Sequence, residues 1–306
     1  MGQRQKKGRP VSGWLILDKP LGMTSTQAVS VVKRIFGAQK AGHAGTLDPL
    51  ATGLLPIALG EATKTVPYVM DGRKIYGFTV RWGEETTTDD AEGAVVASSD
   101  ARPDRAAIEA VLPEFIGTIM QVPPAFSAIK IDGERAYDLA RDGEEVTLDA
   151  RPIEVHRLDL VDMPDANTAV FAAECGKGTY VRALARDMGR LLGTRGHVAN
   201  LRRLLVGPFD EASMISLDQL RETQGEGFEA SDALLSPVET ALSDMREIRV
   251  NDMEAARLRN GQSFILRGRD APLPGETVYA SLAGTLIAIG EVEQGSFQPV
   301  RVFVGG

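Results

Sequence analysis

The segment from Ile75 to Trp82 restricts the possible folds of this chain more than any other stretch. Its large side chains alternate with smaller or polar ones, so that Tyr76, Phe78, Val80 and Trp82 share one face. A period of two is typical of a β-strand that turns one face to the core. The chain therefore contains a sheet that is covered on at least one side.

Helical spacing of apolar side chains predicts one helix before this strand and one after it. The first is capped by Thr24 or Ser25 and ends at Gly37. The second begins at Thr179 and has an apolar side. The basic side chains of the second helix recur four residues apart, at Arg182, Arg186 and Arg190.

The chain has 306 residues, enough for about two domains. Residues 1–12 are basic and are predicted to form a disordered arm. Residues 13–245 form the predicted main domain. Within it, residues 122–150 are predicted to form an excursion that extends away from the domain core. Residues 246–306 contain short strands and turns, which predict a small, separate β-rich domain.

A single cysteine, Cys175, limits the redox chemistry of the chain. It cannot form an internal disulfide, and no C-x-x-C pair is present for zinc. We interpret it as a small buried apolar residue. No apolar run is long enough to span a membrane, and no apolar stretch follows the basic start as in a secretory signal. These features favour a cytoplasmic protein without contact with a membrane.

The net charge of −8 argues by itself against nucleic acid, but the charge is unevenly distributed. Residues 1–48 hold eight Lys or Arg and two acidic residues, and residues 177–209 hold seven and one. Two other stretches, 84–114 and 211–247, each hold nine acidic residues and two Arg. Because RNA affinity depends on local phosphate contacts, the basic stretches are either solvated faces or an RNA-binding surface.

Residues 42–53 are rich in Gly, Thr and Pro and are predicted to form a loop. Within it, Asp48 precedes Pro49, which favours an extended backbone at Asp48. From the local pattern alone, Asp48 is a turn residue or a catalytic carboxylate. His43 is a hydrogen-bonded loop residue, an acid–base partner or a stacking ring. No ligands lie at metal-binding spacing here, so no metal is predicted, and Asp89-Asp90 are interpreted as surface acids.

Six segments occur in a recognisable order: residues 18–25, 42–55, 74–76, 121–141, 178–182 and 198–209. Together they resemble the motifs of the TruB family of bacterial tRNA pseudouridine synthases. The resemblance covers roughly residues 13–210, with a looser match to the family's PUA-type domain at the C-terminus. The sequence has Ala44 where the family often has Thr, and Phe126 where it often has Tyr.

The resemblance implies an α+β fold, in which helices flank a mixed, mainly antiparallel sheet, with a small C-terminal PUA-like RNA-binding domain. It implies that residues 122–150 are an RNA-clasping insertion. The implied activity is that of a tRNA pseudouridine(55) synthase, which isomerises uridine-55 in the T-arm loop. It would act as a monomer, with no cofactor, no guide RNA and no required protein partner.

The resemblance also assigns catalytic roles. Asp48 is the implied catalytic carboxylate. Enclosure would raise its pKa, and the guanidinium of Arg182 would oppose that rise. Tyr76 would stack on the flipped base and could help to remove the C5 proton; from its pattern alone it is a core aromatic residue.

Further residues are implied to bind the RNA. His43 would fill or support the place in the base stack that the flipped uridine leaves. Tyr180 would contact the base. Leu201, which is otherwise an ordinary core residue, would line the pocket. Lys19 would support the catalytic loop as well as approach the RNA. The possible contacts to the RNA backbone are Lys19, Lys64, Lys130, Arg186 and Arg202.

Two other functions are compatible with the sequence. A non-enzymatic tRNA-binding and folding protein would need only the basic stretches and the insertion. A phospho-aspartyl hydrolase would need Mg²⁺ and a second acid two residues after Asp48, where the sequence has Leu50. The insertion argues against a relative that depends on guide RNA.

Overall fold

A nine-stranded mixed sheet forms the framework of the larger domain. The computed structural model describes residues 8–127, 129–131, 134–137, 146–266 and 271–303. The strands of this part of the chain are β1 Gly13–Lys19, β2 Ala41–His43, β3 Ala51–Leu59, β4 Lys74–Trp82, β5 Glu84–Thr86, β6 Val95–Ser98, β7 Gly117–Gln121, β8 Lys130–Ile131, β9 Glu134–Arg135, β10 Arg151–Asp165, β11 Thr168–Cys175, β12 Gly196–Val206 and β13 Ile215–Ser216.

The sheet has the strand order β13-β1-β3-β12-β4-β11-β10-β7, and β2 pairs with β3. β1 runs parallel to β13, and β3 runs parallel to β12. The other neighbours in this sheet are antiparallel. β5 with β6 and β8 with β9 form separate two-stranded ribbons. The predicted mixed, mainly antiparallel sheet is confirmed.

Helices lie against both faces of the sheet, which confirms the prediction that helices flank it. One apolar cluster joins the sheet to α1, α3, α4 and α5, and a second joins its other face to α2. None of the helices in the described ranges has the length and apolar character needed to cross a membrane. The helices are α1 Ser25–Ile35, α2 Val66–Asp71, α3 Arg105–Val111, α4 Val181–Leu191, α5 Leu217–Glu226, α6 Phe228–Asp232 and α7 Asp252–Arg259.

The alternating strand predicted from the sequence is β4, between β12 and β11 near the middle of the sheet. Phe78, Val80 and Trp82 are buried. The Phe78 ring stacks on Phe171 of β11 with 5.4 Å between centroids, and Trp82 meets the same ring edge-on at 6.3 Å. This aromatic packing fixes the centre of the sheet, from which the loops of the candidate site project.

The helix α1 begins at its predicted cap. Thr24 accepts a hydrogen bond from the Gln27 backbone N–H at 3.1 Å, and the Gln27 side chain accepts one from the Thr24 N–H at 2.8 Å. This reciprocal capping box satisfies two backbone donors that the first turn leaves free. Ser25, the other cap candidate, is instead buried against Leu47 in the loop between β2 and β3.

A smaller five-stranded sheet with its own core confirms the predicted β-rich unit at the C-terminus. Lys64 of the larger domain donates to the carbonyl oxygen of Val302 at 2.8 Å and lies 5.3 Å from the Phe303 ring centroid. The strands are β14 Glu247–Arg249, β15 Phe264–Ile265, β16 Thr277–Leu282, β17 Thr285–Glu293 and β18 Ser296–Val302, in the order β14-β16-β17-β18-β15.

Asp89 and Asp90, in the acidic segment after β4, were interpreted as surface acids, and this was wrong. Asp89 is 6% exposed and Asp90 is 2% exposed. Both follow β5 and lie against β12, where the backbone N–H of Val198 donates to the Asp89 carbonyl at 3.0 Å. Carboxylates tolerate such burial when cations pair with them, and α4 supplies those cations.

Parts of two predicted segments lie outside the described residues. These are residues 1–7 of the predicted arm and residues 128, 132–133 and 138–145 of the predicted excursion. The described end of the arm is held by Arg9, which pairs with Asp232 at 2.5 Å and lies 4.1 Å from the Phe228 ring centroid. Residues 9–12 are therefore anchored to the domain rather than part of a free arm.

Candidate active site

Asp48 lies in the loop between β2 and β3, as the sequence predicted for a residue before proline. The hydroxyl of Ser25 accepts from the Leu47 N–H at 2.8 Å and donates to the Leu47 carbonyl at 3.0 Å. Gly45 and Gly53, on either side, have φ values of +93° and +92°, which favour glycine. The loop is thus fixed one residue before Asp48 by the first residue of α1.

Lys19 supports the same loop through hydrogen bonds to backbone carbonyl groups. It is fully buried, and its ammonium donates to the carbonyls of Pro20 at 3.0 Å, Met23 at 2.7 Å and Pro49 at 3.5 Å. Burial lowers the pKa of Lys19 to about 8, although the nearby Asp48 carboxylate favours the charged form. This placement matches a supporting role for Lys19 and leaves it no surface for RNA.

Arg182 meets Asp48 directly. Its Nη2 donates to Asp48 Oδ2 at 2.9 Å and to the Phe126 carbonyl at 2.8 Å. Its Nη1 donates to the Thr88 carbonyl at 2.8 Å. The Arg182 side chain is only 6% exposed, whereas that of Asp48 is 39% exposed. The buried Arg182 guanidinium therefore holds the Asp48 carboxylate where solvent, or a substrate, can reach it.

Asp90 is a second carboxylate on the same guanidinium. Its Oδ2 lies 3.5 Å from Arg182 Nη1, and its Oδ1 accepts from the Thr88 hydroxyl at 2.5 Å. Arg182 is therefore shared between Asp48 and Asp90. Because one cation faces two acids, each carboxylate receives less stabilisation than it would from a guanidinium of its own.

The net effect on Asp48 is a raised pKa. Burial among protein groups is the largest cause, and the charge of Asp90 adds to it. Arg182 and Lys19 act in the opposite direction, as expected from the sequence, but do not cancel the rise. The 39% exposure of the Asp48 side chain is compatible with this, because protein groups surround much of the carboxylate while part of it stays accessible to solvent.

This raised pKa predicts the pH dependence of any reaction that needs ionised Asp48. The single-turnover rate should fall as the pH drops through a pKa above the ordinary aspartate value of about 3.9. The folded state also holds this proton more tightly than the unfolded chain does, so ionisation of Asp48 costs folding free energy as the pH rises through the same range. Rates measured with RNA binding monitored at each pH test this; a rate that climbs toward acidic pH would contradict it.

Tyr76 lies on β4 next to a buried arginine that the sequence analysis did not single out. Arg203 is 1% exposed and is the cross-strand partner of Tyr76. Its guanidinium lies close enough to the Tyr76 phenol to affect its pKa. It also donates to the carbonyls of Leu54 at 2.8 Å and Gly45 at 3.0 Å. Arg203 thus links the tyrosine to both arms of the Asp48 loop.

Burial raises the pKa of the Tyr76 phenol, and the Asp48 charge adds a smaller rise. The Arg203 guanidinium opposes this, since a cation favours the phenolate. The phenol and the Asp48 carboxylate are therefore close enough to influence each other. Tyr76 is half-buried, so it is not simply a core aromatic residue like Phe78.

The remaining predicted base contacts lie on elements around Asp48. Leu201 is 9% exposed on β12, opposite Ala51 of β3, the strand that follows the loop. Tyr180 precedes α4 as its N-cap, two residues before Arg182. His43 ends β2, at the start of the loop. Each of the three therefore lies on an element that adjoins the Asp48 loop or that carries its partner Arg182.

The predicted contacts to the RNA backbone are placed less favourably. Arg186 is 7% exposed, and its guanidinium pairs with Asp89 at 2.9 Å and with Asp187 at 2.8 Å. Its burial argues against phosphate contact. Lys64 and Arg202 are partly exposed but already engaged, Arg202 in two bonds to Asp18 at 2.9 and 3.0 Å. The Lys130 side chain lies outside the described part of the structure.

Three residues of the site were missed by sequence reasoning: Ser25, Asp90 and Arg203. Each is a polar side chain whose burial depends on a partner distant in sequence. One local signal existed, since three threonines precede Asp89-Asp90 and hydroxyls often satisfy buried carboxylates. In the described residues, no group of three His, Cys, Asp or Glu side chains is arranged to hold a metal ion.

Similar proteins define the class to which this fold and site belong. Residues 33–181 match the family described as TruB family pseudouridylate synthase (N terminal domain), and residues 182–243 match the tRNA pseudouridylate synthase B C-terminal domain. The protein is 64% identical to tRNA pseudouridine synthase B of Bradyrhizobium diazoefficiens, over 98% of this chain and 88% of that protein. It is 61% identical to the Agrobacterium fabrum protein of the same name, over 98% and 97%.

The chain thus has the domains of a pseudouridylate synthase. It belongs to the TruB family. Among solved structures, a Cbf5–Nop10–Gar1 complex contains a chain with a TM-score of 0.74 and 24% identity, covering 99% of this chain and 91% of that one. An H/ACA RNP bound to a substrate RNA gives 0.75 and 23%, covering 99% and 92%. At these identities the structures establish a shared fold.

Proposed function

We propose that this protein isomerises uridine-55 in the T-arm loop of tRNA to pseudouridine, with Asp48 as the catalytic carboxylate. The observation that carries the proposal is the pairing of Asp48 with Arg182. A reachable carboxylate is held at 2.9 Å by a buried guanidinium, on the loop where the family resemblance places the catalytic acid. Relatives above 60% identity named tRNA pseudouridine synthase B support tRNA as the substrate.

The proposed reaction is an isomerisation, and its atoms balance within the substrate. The bond between N1 of uracil and C1′ of ribose breaks, the base turns, and a bond between C5 and C1′ forms. The proton on C5 is released, and N1 gains one. No electron acceptor or hydrolytic water is consumed, so no cofactor is required. Ionised Asp48 serves by covalent attack on the base or on C1′, or by assisting a glycal route.

A uridine inside a folded loop has to leave its stack before Asp48 can reach it, at a cost of a few kcal/mol. In the proposed complex Tyr76 stacks on the flipped base, and its phenol takes part in removal of the C5 proton. Tyr180 contacts the base, and Leu201 lines the pocket. His43 supports the stack that the uridine has left.

The RNA-binding surface extends beyond the pocket in this proposal. Residues 122–150 act as the clasping insertion on a catalytic domain of residues 13–245, and residues 246–306 form a PUA-like RNA-binding domain. The enzyme acts as a cytoplasmic monomer, without guide RNA or protein partner. The contacts with the phosphates come from basic side chains at the surface rather than from Arg186 or Lys19.

The test is a tritium-release assay on an unmodified tRNA transcript labelled at C5 of uridine, in excess EDTA. We expect one tritium released per tRNA, because a single position is modified and no metal takes part. Carbodiimide treatment followed by primer extension should place the product at position 55. A transcript with cytidine at that position is the control and should release none.

Two outcomes would contradict the proposal. Release that stops in EDTA would favour a metal-dependent reaction. A purified protein that binds the transcript but releases no tritium would favour a tRNA-binding protein without this activity, or an enzyme that needs a guide RNA.

A further inference from the structure

The two ends of the segment 122–150 meet at one point of the sheet. Gln121 is the last residue of β7, and Arg151 is the first residue of β10. They are direct cross-strand partners. Because the segment leaves and rejoins the sheet at this pair, anything that the pair contacts is linked to both ends of the segment.

Gln121 binds the backbone of Tyr180 through both ends of its side-chain amide. The Tyr180 N–H donates to Gln121 Oε1 at 2.9 Å, and Gln121 Nε2 donates to the Tyr180 carbonyl at 3.2 Å. Gln121 is 1% exposed, so these bonds form away from water. A donor and an acceptor are both needed, and of the uncharged side chains only an amide of this length supplies them in this arrangement.

This contact lies at the start of the helix that carries Arg182. Tyr180 is the N-cap of α4, but its own side chain makes no capping hydrogen bond. The Tyr180 carbonyl accepts the first helical bond, from Leu184 N–H at 3.2 Å. Gln121 therefore fixes, from a neighbouring strand, a helix start that lacks a side-chain cap of its own.

Arg151 contacts the ring of the same tyrosine, Tyr180, and the turn that precedes it. Its guanidinium carbon lies 5.4 Å from the Tyr180 ring centroid, within the range of a cation–π contact. Its Nη2 donates to the Gly178 carbonyl at 3.2 Å, in the turn that leads to Tyr180. The backbone of Tyr180 is thus held by one end of the segment and its ring by the other.

Two carbonyl groups just inside the segment bind the same helix. The Val122 carbonyl accepts from Arg186 Nη2 at 2.8 Å, and the Phe126 carbonyl accepts from Arg182 Nη2 at 2.8 Å. The first residues of the segment and the first two turns of α4 therefore form one hydrogen-bonded unit. That unit includes the guanidinium that binds Asp48.

We infer that Gln121 and Arg151 are positioning residues for the reaction. Together they set the place of Tyr180 and of the first turn of α4, so that Tyr180 faces the uridine and Arg182 faces Asp48. This inference rests on the proposed function, because it assumes that the pocket beside Asp48 receives the base. Neither residue touches the reacting atoms; each acts through Tyr180.

The test compares Gln121→Met, which keeps the length of the side chain but removes both hydrogen bonds, with Arg151→Gln. Single-turnover rates on saturating tRNA should fall roughly 10- to 100-fold, the scale expected when catalytic groups shift by about 1 Å. The dissociation constant for tRNA should change far less than the rate. In Gln121→Met the acidic limb of the pH–rate profile should also move to higher pH, since Arg182 is held less firmly against Asp48.

Matched controls separate positioning from general stability. Gln219→Met removes a glutamine that accepts from the Ser216 N–H at 2.9 Å at the start of α5. Arg157→Gln removes an exposed arginine of β10 that pairs with Asp159. Both controls should keep the wild-type rate and pH profile, whatever happens to their melting temperatures.

The inference is overturned if Gln121→Met and Arg151→Gln keep the wild-type rate and profile, or if the controls lose as much as they do. If Gln121→Met does not fold, the more exposed Arg151→Gln decides the question alone. Failure of the wild-type protein to release tritium would count against the proposed function instead, so the two failures are distinguishable.

Discussion

Replacing Asp48 with asparagine is expected to abolish pseudouridine formation while the protein stays folded and binds tRNA. The amide keeps the shape of the side chain but cannot act as an anionic nucleophile. The rate should drop by roughly 10⁴-fold or more, the scale on which loss of a covalent nucleophile or its partner lowers kcat in other enzymes. Tritium release with saturating tRNA measures the rate, and filter binding measures the affinity.

The melting temperature of Asp48→Asn should equal or exceed that of the wild type. A carboxylate whose pKa is raised by burial costs folding free energy when it ionises, and the neutral amide removes that cost. Arg182 keeps Asp90 and two carbonyl groups as partners, so its charge is not left alone. Asp71→Asn, at an exposed aspartate paired with Lys177, is the matched control and should keep full activity. Residual wild-type turnover in Asp48→Asn would refute the catalytic assignment.

Arg182→Lys should produce the second largest loss, of roughly 10²- to 10³-fold. The guanidinium uses two nitrogens to serve Asp48, Asp90, Thr88 and Phe126 at once. An ammonium is a compact charge without the planar fork and cannot reach all four. Because the Asp48 side chain is 39% exposed and lysine keeps the positive charge, the weaker pairing should cost less than the loss of a fully buried ion pair. Part of that cost should appear as protonation of Asp48.

The pH profile distinguishes this mechanism from simple misfolding. Because lysine at position 182 would pair less well with Asp48 and Asp90, the Asp48 pKa should rise further. The acidic limb of the pH–rate profile should then move to higher pH. The matched control is Arg190→Lys, two turns along the same helix, where the arginine pairs with Glu85 and is half exposed. It should leave both rate and profile nearly unchanged. An unshifted limb in Arg182→Lys would contradict the role assigned to the shared guanidinium.

Local periodicity explains which parts of the fold were predictable. The strand β4 and the helices α1 and α4 were predicted because their apolar spacing, and for α1 also its cap, depend on a few neighbouring residues. The strand β12 was not identified. Its register against β4 shifts between Val198 and Asn200 and again between Arg203 and Leu205. Each irregularity interrupts the alternation of period two, so the sequence shows no clear strand pattern there.

Only those residues of the site that belong to the family motifs could be predicted from the sequence. Asp48, Tyr76 and Arg182 were proposed from the resemblance, and the structure places the first and last in direct contact. Asp90 was interpreted as a surface acid because the segment around it has the acidic, polar composition of a solvated segment. Its burial depends on Arg182, about ninety residues later in the sequence.

Arg203 illustrates a second limit of sequence reasoning. Neighbouring side chains of a strand point to opposite faces, so Arg202 and Arg203 have different environments. Arg202 is partly exposed and pairs with Asp18, whereas Arg203 is enclosed beneath the catalytic loop. Two adjacent arginines in a basic stretch give no indication of which one is buried. Only the pairing of β12 with β3 and β4 decides it.

That position of β12 in the sheet also bears on how the chain acquires its activity during synthesis. The strands β3 and β4 are complete by Trp82, but β12, which lies between them, begins only at Gly196. A ribosome-bound chain that has not reached this point lacks Arg203 and carries two strands with open edges. Such long-range pairing folds slowly and leaves intermediates prone to aggregation. The nascent protein therefore stays inactive toward RNA until about two-thirds of its length has been made, and until then chaperones would have unpaired strands to protect.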